Sequence, residues 1–162
     1  MKTVTKVPRK NPPFITVKER VARLHKLDLS KIRAKVQREN GWTARQAKEA
    51  EKWYRRFLEA ILRFPKRAKF VPNAPIDEFW HCHIMDTRAY ARDCEHVFGR
   101  FVHHNPYFGV RGKKDLEANQ ASFRQTNAIY REMFGEDCTM MKYFKVGLSK
   151  HNCDSSITCN GQ

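Results

Sequence analysis

The chain has 162 residues, 41% hydrophobic and 12% aromatic, so it can bury a core without disulfides and is too apolar for a disordered composition. No apolar run approaches the ~18 residues of a transmembrane helix, and the basic start Met1–Lys10 lacks the apolar centre of a secretory signal. The net charge of +15 lies wholly in residues 1–70, where 21 Lys/Arg face 6 Asp/Glu, while residues 71–162 balance at 11 each.

These properties predict a soluble cytoplasmic protein. Five cysteines at 82, 94, 138, 153 and 159, with no CxxC, fit free thiols or ligands rather than a disulfide framework. A field of one sign confined to one part of the chain attracts polyanions such as RNA, DNA or a ribonucleoprotein. Basic helices also serve solubility, and that plainer role stands beside the first.

In chain order, residues 1–16 read as a basic extended arm, with Pro8, Pro12 and Pro13 among cations. Val17–Leu27 carries Val17, Val21 and Leu24 at helical spacing. Asp28–Glu39 reads as a second helix, with Ser30 as N-cap and Asn40-Gly41 as its stop. Thr43 with Gln46 forms a capping box that opens the clearest helix. Its apolar stripe runs through Ala47, Ala50, Tyr54, Phe57, Leu58, Ile61 and Leu62, until Phe64-Pro65 ends it. Lys48, Lys52, Arg55, Arg56, Arg63, Lys66, Arg67 and Lys69 supply the cations of this stretch and are the candidate nucleic-acid contacts. Trp42, Trp53 and Tyr54 stand among them and could stack on bases, or simply pack in the core.

Val71–Pro75 reads as a turn, and Pro75 suits the first position of a helix running to about Phe98, with Gly99 as its stop. Phe101–Gly112 is a loop, Lys113–Phe134 a last long helix, and 136–162 an irregular, flexible tail holding Cys153 and Cys159. No strand or repeat emerges. The expected fold is all-α: a compact irregular bundle of about four to five helices over 17–135, flanked by the arm and the tail.

The densest chemistry lies between Asp77 and Cys94, where three Asp, two His, two Cys, a Trp and a Tyr share one helix. At ~100° per residue, Trp80, Ile84, Thr87, Ala91, Cys94 and Phe98 make the core-facing stripe of a continuous helix. His81 and His83 then lie ~200° apart, so they cannot grip one ion from a regular helix. The local pairs are Asp77 with His81 and His83 with Asp86. Further ligands would come from His103, His104 or Cys94, and a zinc or iron site needs three or four such groups. Asp77, Asp86 and Asp93 are the candidate catalytic carboxylates. As a bland alternative, the same pairs would be hydrogen-bonded groups at a polar core edge. Cys82 and Cys94 read as buried apolar groups. Hydrolase, phosphate-loop, dinucleotide, zincin and deaminase motifs are all missing from the sequence.

The run Asp77-x-x-Trp80-His81-x-His83-Ile84-x-Asp86-x-x-x-Tyr90-x-x-Asp93-Cys94, followed by His103-His104-Asn105-Pro106-Tyr107-Phe108-Gly109, resembles the glycine-rich domain-containing protein-like family over residues 75–112. The resemblance implies that Asp77, Trp80, His81, His83, Tyr90 and Asp93 form a family signature, and it associates larger relatives with RNA. The chain has only 7 Gly and lacks a glycine-rich region.

Two functional expectations follow. One is a basic helical protein that binds nucleic acid or a ribonucleoprotein and carries a His/Asp cluster for a metal. The other is a small zinc or iron enzyme acting on an anionic substrate, with His81, His83 and one of His103/His104 as ligands.

Overall fold

The computed structural model describes residues 15–144, and everything said of structure below concerns these residues. The arm to residue 14 and the tail from residue 145, with Cys153 and Cys159, lie outside them.

Six α-helices follow one another: α1 (Val17–His25), α2 (Ser30–Asn40), α3 (Ala44–Arg63), α4 (Ala74–Met85), α5 (Thr87–Phe98) and α6 (Lys113–Phe134). The described part is all-helical. The helix count exceeds the expected four to five because the long fourth helix is two.

α3 is the hub, packed against α1, α2, α4 and α6. Its stripe buries Ala47, Ala50, Trp53, Tyr54, Phe57, Leu58, Ile61 and Leu62. Trp53 and Tyr54 are therefore core side chains, not base-stacking surfaces. Burying each large aromatic ring contributes roughly 2–3 kcal/mol. The Thr43–Gln46 box closes as the sequence suggests: Gln46 N–H donates to Thr43 Oγ1 at 3.3 Å, and Thr43 N–H donates to Gln46 Oε1 at 2.9 Å. α1 has a second box from Thr16 and Glu19. Ser30 is not the N-cap of α2. Leu29 holds that position and has no polar side-chain atom to cap with, and the Asp28 side chain accepts the Ser30 N–H at 3.0 Å.

α1 is fastened to the C-terminal end of α5. Arg20 donates to the Val97 carbonyl and Arg23 to the His96 carbonyl, each at 3.0 Å. Cations suit the negative end of a helix, whose last carbonyls lack partners. Gly99 ends α5 with φ of +67°, and a Cβ there would press on the Arg20 guanidinium at 3.2 Å.

The chain does not run as one helix from 76 to 98. Asp86, with φ −85° and ψ 72°, ends α4 and caps α5, its Oδ1 accepting the Ala89 N–H at 3.2 Å. A carboxylate that bonds its own following backbone offers an alternative to the helical ladder. The break resets the rotation. Thr87 and Ala91, expected in the core stripe, are exposed, whereas Tyr90, Asp93, Cys94 and Val97 are buried.

Residues 136–144 were expected to lack regular structure. They contain a short 3-10 turn at Cys138–Met140, and Cys138 and Met141 join the core. Asn73 ties this segment to α4: its side chain caps Ile76 N–H and donates to the Cys138 carbonyl.

Candidate metal centre

Asp77 and His81 sit one turn apart on α4, so their side chains share a face. His104 reaches the same face from the loop after α5. His104 Nε2 lies 3.0 Å from Asp77 Oδ1 and 3.0 Å from His81 Nε2, while His81 Nε2 is 3.4 Å from Asp77 Oδ2. Asp77 is fully buried, His104 nearly so, and the His81 side chain is 38% exposed. The group therefore opens to solvent on the side of His81.

Hydrogen bonds alone satisfy this arrangement poorly. An imidazole nitrogen has one bonding direction in its ring plane, occupied by a proton or by a lone pair. His104 Nε2 meets a carboxylate oxygen and another imidazole nitrogen at the same distance, so a single proton cannot serve both well. A cation can. Ligands at ~2.1 Å from one ion stand about 3.0–3.4 Å apart at octahedral to tetrahedral angles. Among the described residues, Asp77, His81 and His104 form a group of three that could hold a metal ion.

The loop places His104 through its neighbours. Trp80 Nε1 donates to Tyr90 Oη at 2.8 Å, and the Tyr90 hydroxyl donates to the Val102 carbonyl at 2.6 Å. The Trp80 ring also meets the His104 ring edge-on at 4.8 Å. Burial pushes the Tyr90 phenol pKa up, so the hydroxyl keeps the proton it donates.

His83 goes elsewhere. It is buried, with Nδ1 2.9 Å from Tyr54 Oη and Nε2 3.3 Å from Asp93 Oδ2. Burial pushes its pKa below the ordinary value, against the pull of Asp93. Burial likewise pushes the Tyr54 phenol well up. A neutral imidazole fits this site: Nε2–H donates to Asp93, and Nδ1 accepts from Tyr54. Arg92 balances the Asp93 charge at 3.0 Å.

The remaining candidates are dispersed. The expected pair of His83 with Asp86 does not form, because the break at Asp86 turns that carboxylate to capping. His103 is exposed against the Phe101 ring and stands apart from the three. Of the candidate carboxylates only Asp77 joins the centre, since Asp93 serves His83. Cys94 is buried, and desolvation pushes its pKa up; the same cause pushes the Cys82 thiol up to about 12. Tyr54 looked like one more core position in the sequence. Its alignment with a histidine 29 residues away leaves no local signal.

Most cations of the α3 stretch are paired within the fold. Arg55 donates to Glu51 and to the Leu24 and Leu27 carbonyls. Lys52 and Arg56 share Glu136, and Arg56 also lies between the Trp53 and Phe134 rings at 4.6 Å from each. Arg63 pairs with Glu59 and Arg67 with Glu132. Lys69 lies over the Phe108 ring. Lys48 and Lys66 are exposed.

Residues 18–133 match the UCP032817-like family, and the chain belongs to that family, whose designation names no activity. The match spans nearly all six helices and corrects the resemblance of residues 75–112 to the glycine-rich domain-containing proteins, which does not stand. No curated protein and no solved structure matches the chain. Among the described residues no helix is long and apolar enough to cross a membrane.

Proposed function

We propose that this member of the UCP032817-like family is a divalent-metal protein in which Asp77, His81 and His104 hold one Zn²⁺ or Fe²⁺. The observation that carries this reading is the convergence of two imidazole Nε2 atoms, 3.0 Å apart, on one buried carboxylate, with His104 at 3.0 Å from Asp77 Oδ1 and His81 at 3.4 Å from Asp77 Oδ2. Two imidazoles and a carboxylate suit either ion: zinc in a tetrahedral set, ferrous iron in a facial triad. Three protein ligands are typical of centres that keep a position open for water or substrate, and the exposed flank of His81 provides the approach. When bound, such an ion supplies Lewis acidity and lowers the pKa of a coordinated water. The chain's own contribution is to hold Asp77 dry, to present His81 at the surface and to fix His104 against Trp80. We therefore favour a metal-dependent enzyme over a structural metal clamp, because the helices have a core of their own without it.

Elemental analysis of the purified full chain tests this, with His81→Ala, His104→Ala and, as control, His83→Gln. The expected result is about one zinc or iron per chain in the parent and the control, and little in the first two variants. Saturating metal at 100 times Kd should also raise stability by about 2.7 kcal/mol, lifting Tm by roughly 5–10 °C, in the parent but not in His81→Ala. A parent chain that takes up neither ion on dialysis against it overturns the reading.

A further inference from the structure

A second site lies away from the metal centre, on the outer side of α3. An open cavity of about 670 Å³ is walled by residues of α1, α2 and α3 and by Tyr143. Its size falls within the range of small-molecule sites. Six of its lining side chains are Lys or Arg and two are Glu, an excess of four positive charges, with His25 also on the wall.

Carboxylates answer part of that excess: Lys52 and Arg56 share Glu136, which lies outside the cavity wall. Glu51 is shared between Arg33 and Arg55. Glu49 accepts the backbone N–H groups of Lys142 and Tyr143, at 2.8 and 2.9 Å, and holds Tyr143 at the rim. Arg45 and Lys48, neighbours on one face of α3, are exposed and have no ion-pair partner among the described residues. The Tyr143 side chain is itself half exposed beside them.

We propose that this cavity binds a small anion carrying several phosphates, with Arg45 and Lys48 as the principal contacts, Lys52 in support and Tyr143 available to a planar group. Guanidinium and ammonium groups are the usual partners of phosphate oxygens. A phosphate chain would supply the counter-charge that this wall lacks. The arrangement favours a compact ligand over a nucleic-acid strand. Further along, Arg63 at the end of α3 is already held by Glu59, and Arg67 in the turn after it by Glu132. Arg45 and Lys48 stand together in this one concavity, where a compact ligand can meet both.

The test is calorimetric titration of the full chain with inorganic tripolyphosphate, with ATP and with a single-stranded RNA decamer. Chelator-treated buffer keeps the phosphates from drawing on the metal centre. Arg45→Ala/Lys48→Ala is the paired variant; both side chains are exposed, so the fold is preserved. The proposal expects one site for tripolyphosphate, weakened at least tenfold in the variant and unchanged in His81→Ala. ATP binding more tightly than tripolyphosphate assigns Tyr143 a share, and equal affinities assign the site to the phosphates alone; both uphold it. Absence of tripolyphosphate binding at low salt, equal affinity in the variant, or binding of the RNA alone overturns it. Because the metal content is read separately, failure here leaves the metal centre standing, and the reverse holds too.

Discussion

His81 and His83 stand two residues apart on one helix, and each has a carboxylate near its Nε2. Their side chains differ in exposure, at 38% and 2%. His83 has both nitrogens matched by one hydroxyl and one carboxylate, which completes the capacity of a neutral ring. His81 meets a carboxylate and a second imidazole whose bonding directions converge on one point. Identical chemistry thus becomes structural support in one case and a candidate ligand in the other. Burial and the identity of the third partner make the difference.

Replacing the two residues should separate the roles most sharply. His83→Ala removes a fully buried ring and strands Tyr54 and Asp93, at a cost of roughly 3 kcal/mol in chemical denaturation. His81→Ala should change stability of the metal-free chain by less than about 0.5 kcal/mol, yet cut metal affinity beyond the about 10–100-fold expected for an outer partner. Equal effects of the two on both readouts would erase the distinction.

The junction between the two sites offers a smaller perturbation. Asp86→Ala deletes the cap that starts α5 and should cost about 1 kcal/mol. The loss should appear first as faster amide exchange in Ala89 and Tyr90, with metal content unchanged, since neither Asp77, His81 nor His104 depends on that carboxylate.

The smallest effect is in pH. Burial lowers the pKa of His83 in the fold, so the unfolded chain binds its proton first as pH falls through about 6.5. The stability that neutral His83 supports is complete above that value and declines as pH falls toward the lowered pKa of the folded state. Thermal melts between pH 8 and 5 should show a steeper acid-side decline for the parent than for His83→Gln. Parallel profiles would mean that His83 takes up its proton as readily in the fold as in the unfolded chain.

Much of the architecture could be read along the chain because it depends on local rules. The Thr43–Gln46 box, the α3 stripe and the glycine stops of α2 and α5 each involve residues within a turn of one another. The break at Asp86 was hidden by a pattern that stays helical on both sides, where one carboxylate bonded to Ala89 N–H decides. At the site, Asp77 with His81 was legible as an i, i+4 pair. The choice of His104 over the adjacent His103 was not, because it depends on Tyr90 gripping the Val102 carbonyl and Trp80 receiving the His104 ring. Arg55 and Arg63 have carboxylates one turn away, but the pairs of Lys52, Arg56 and Arg67 were not legible, since their partners Glu136 and Glu132 lie some 65–84 residues on.

The loop that carries His104 is pinned on both sides. Tyr90 holds Val102 before it, and Asn119 and Asp115 hold Phe108 and Gly109 after it, at 2.9 and 2.6 Å. A centre set on so fixed a support has little ordering left to do when an ion arrives. Uptake should therefore leave the hydrodynamic radius unaltered, release almost no heat-capacity change and proceed without a slow conformational phase.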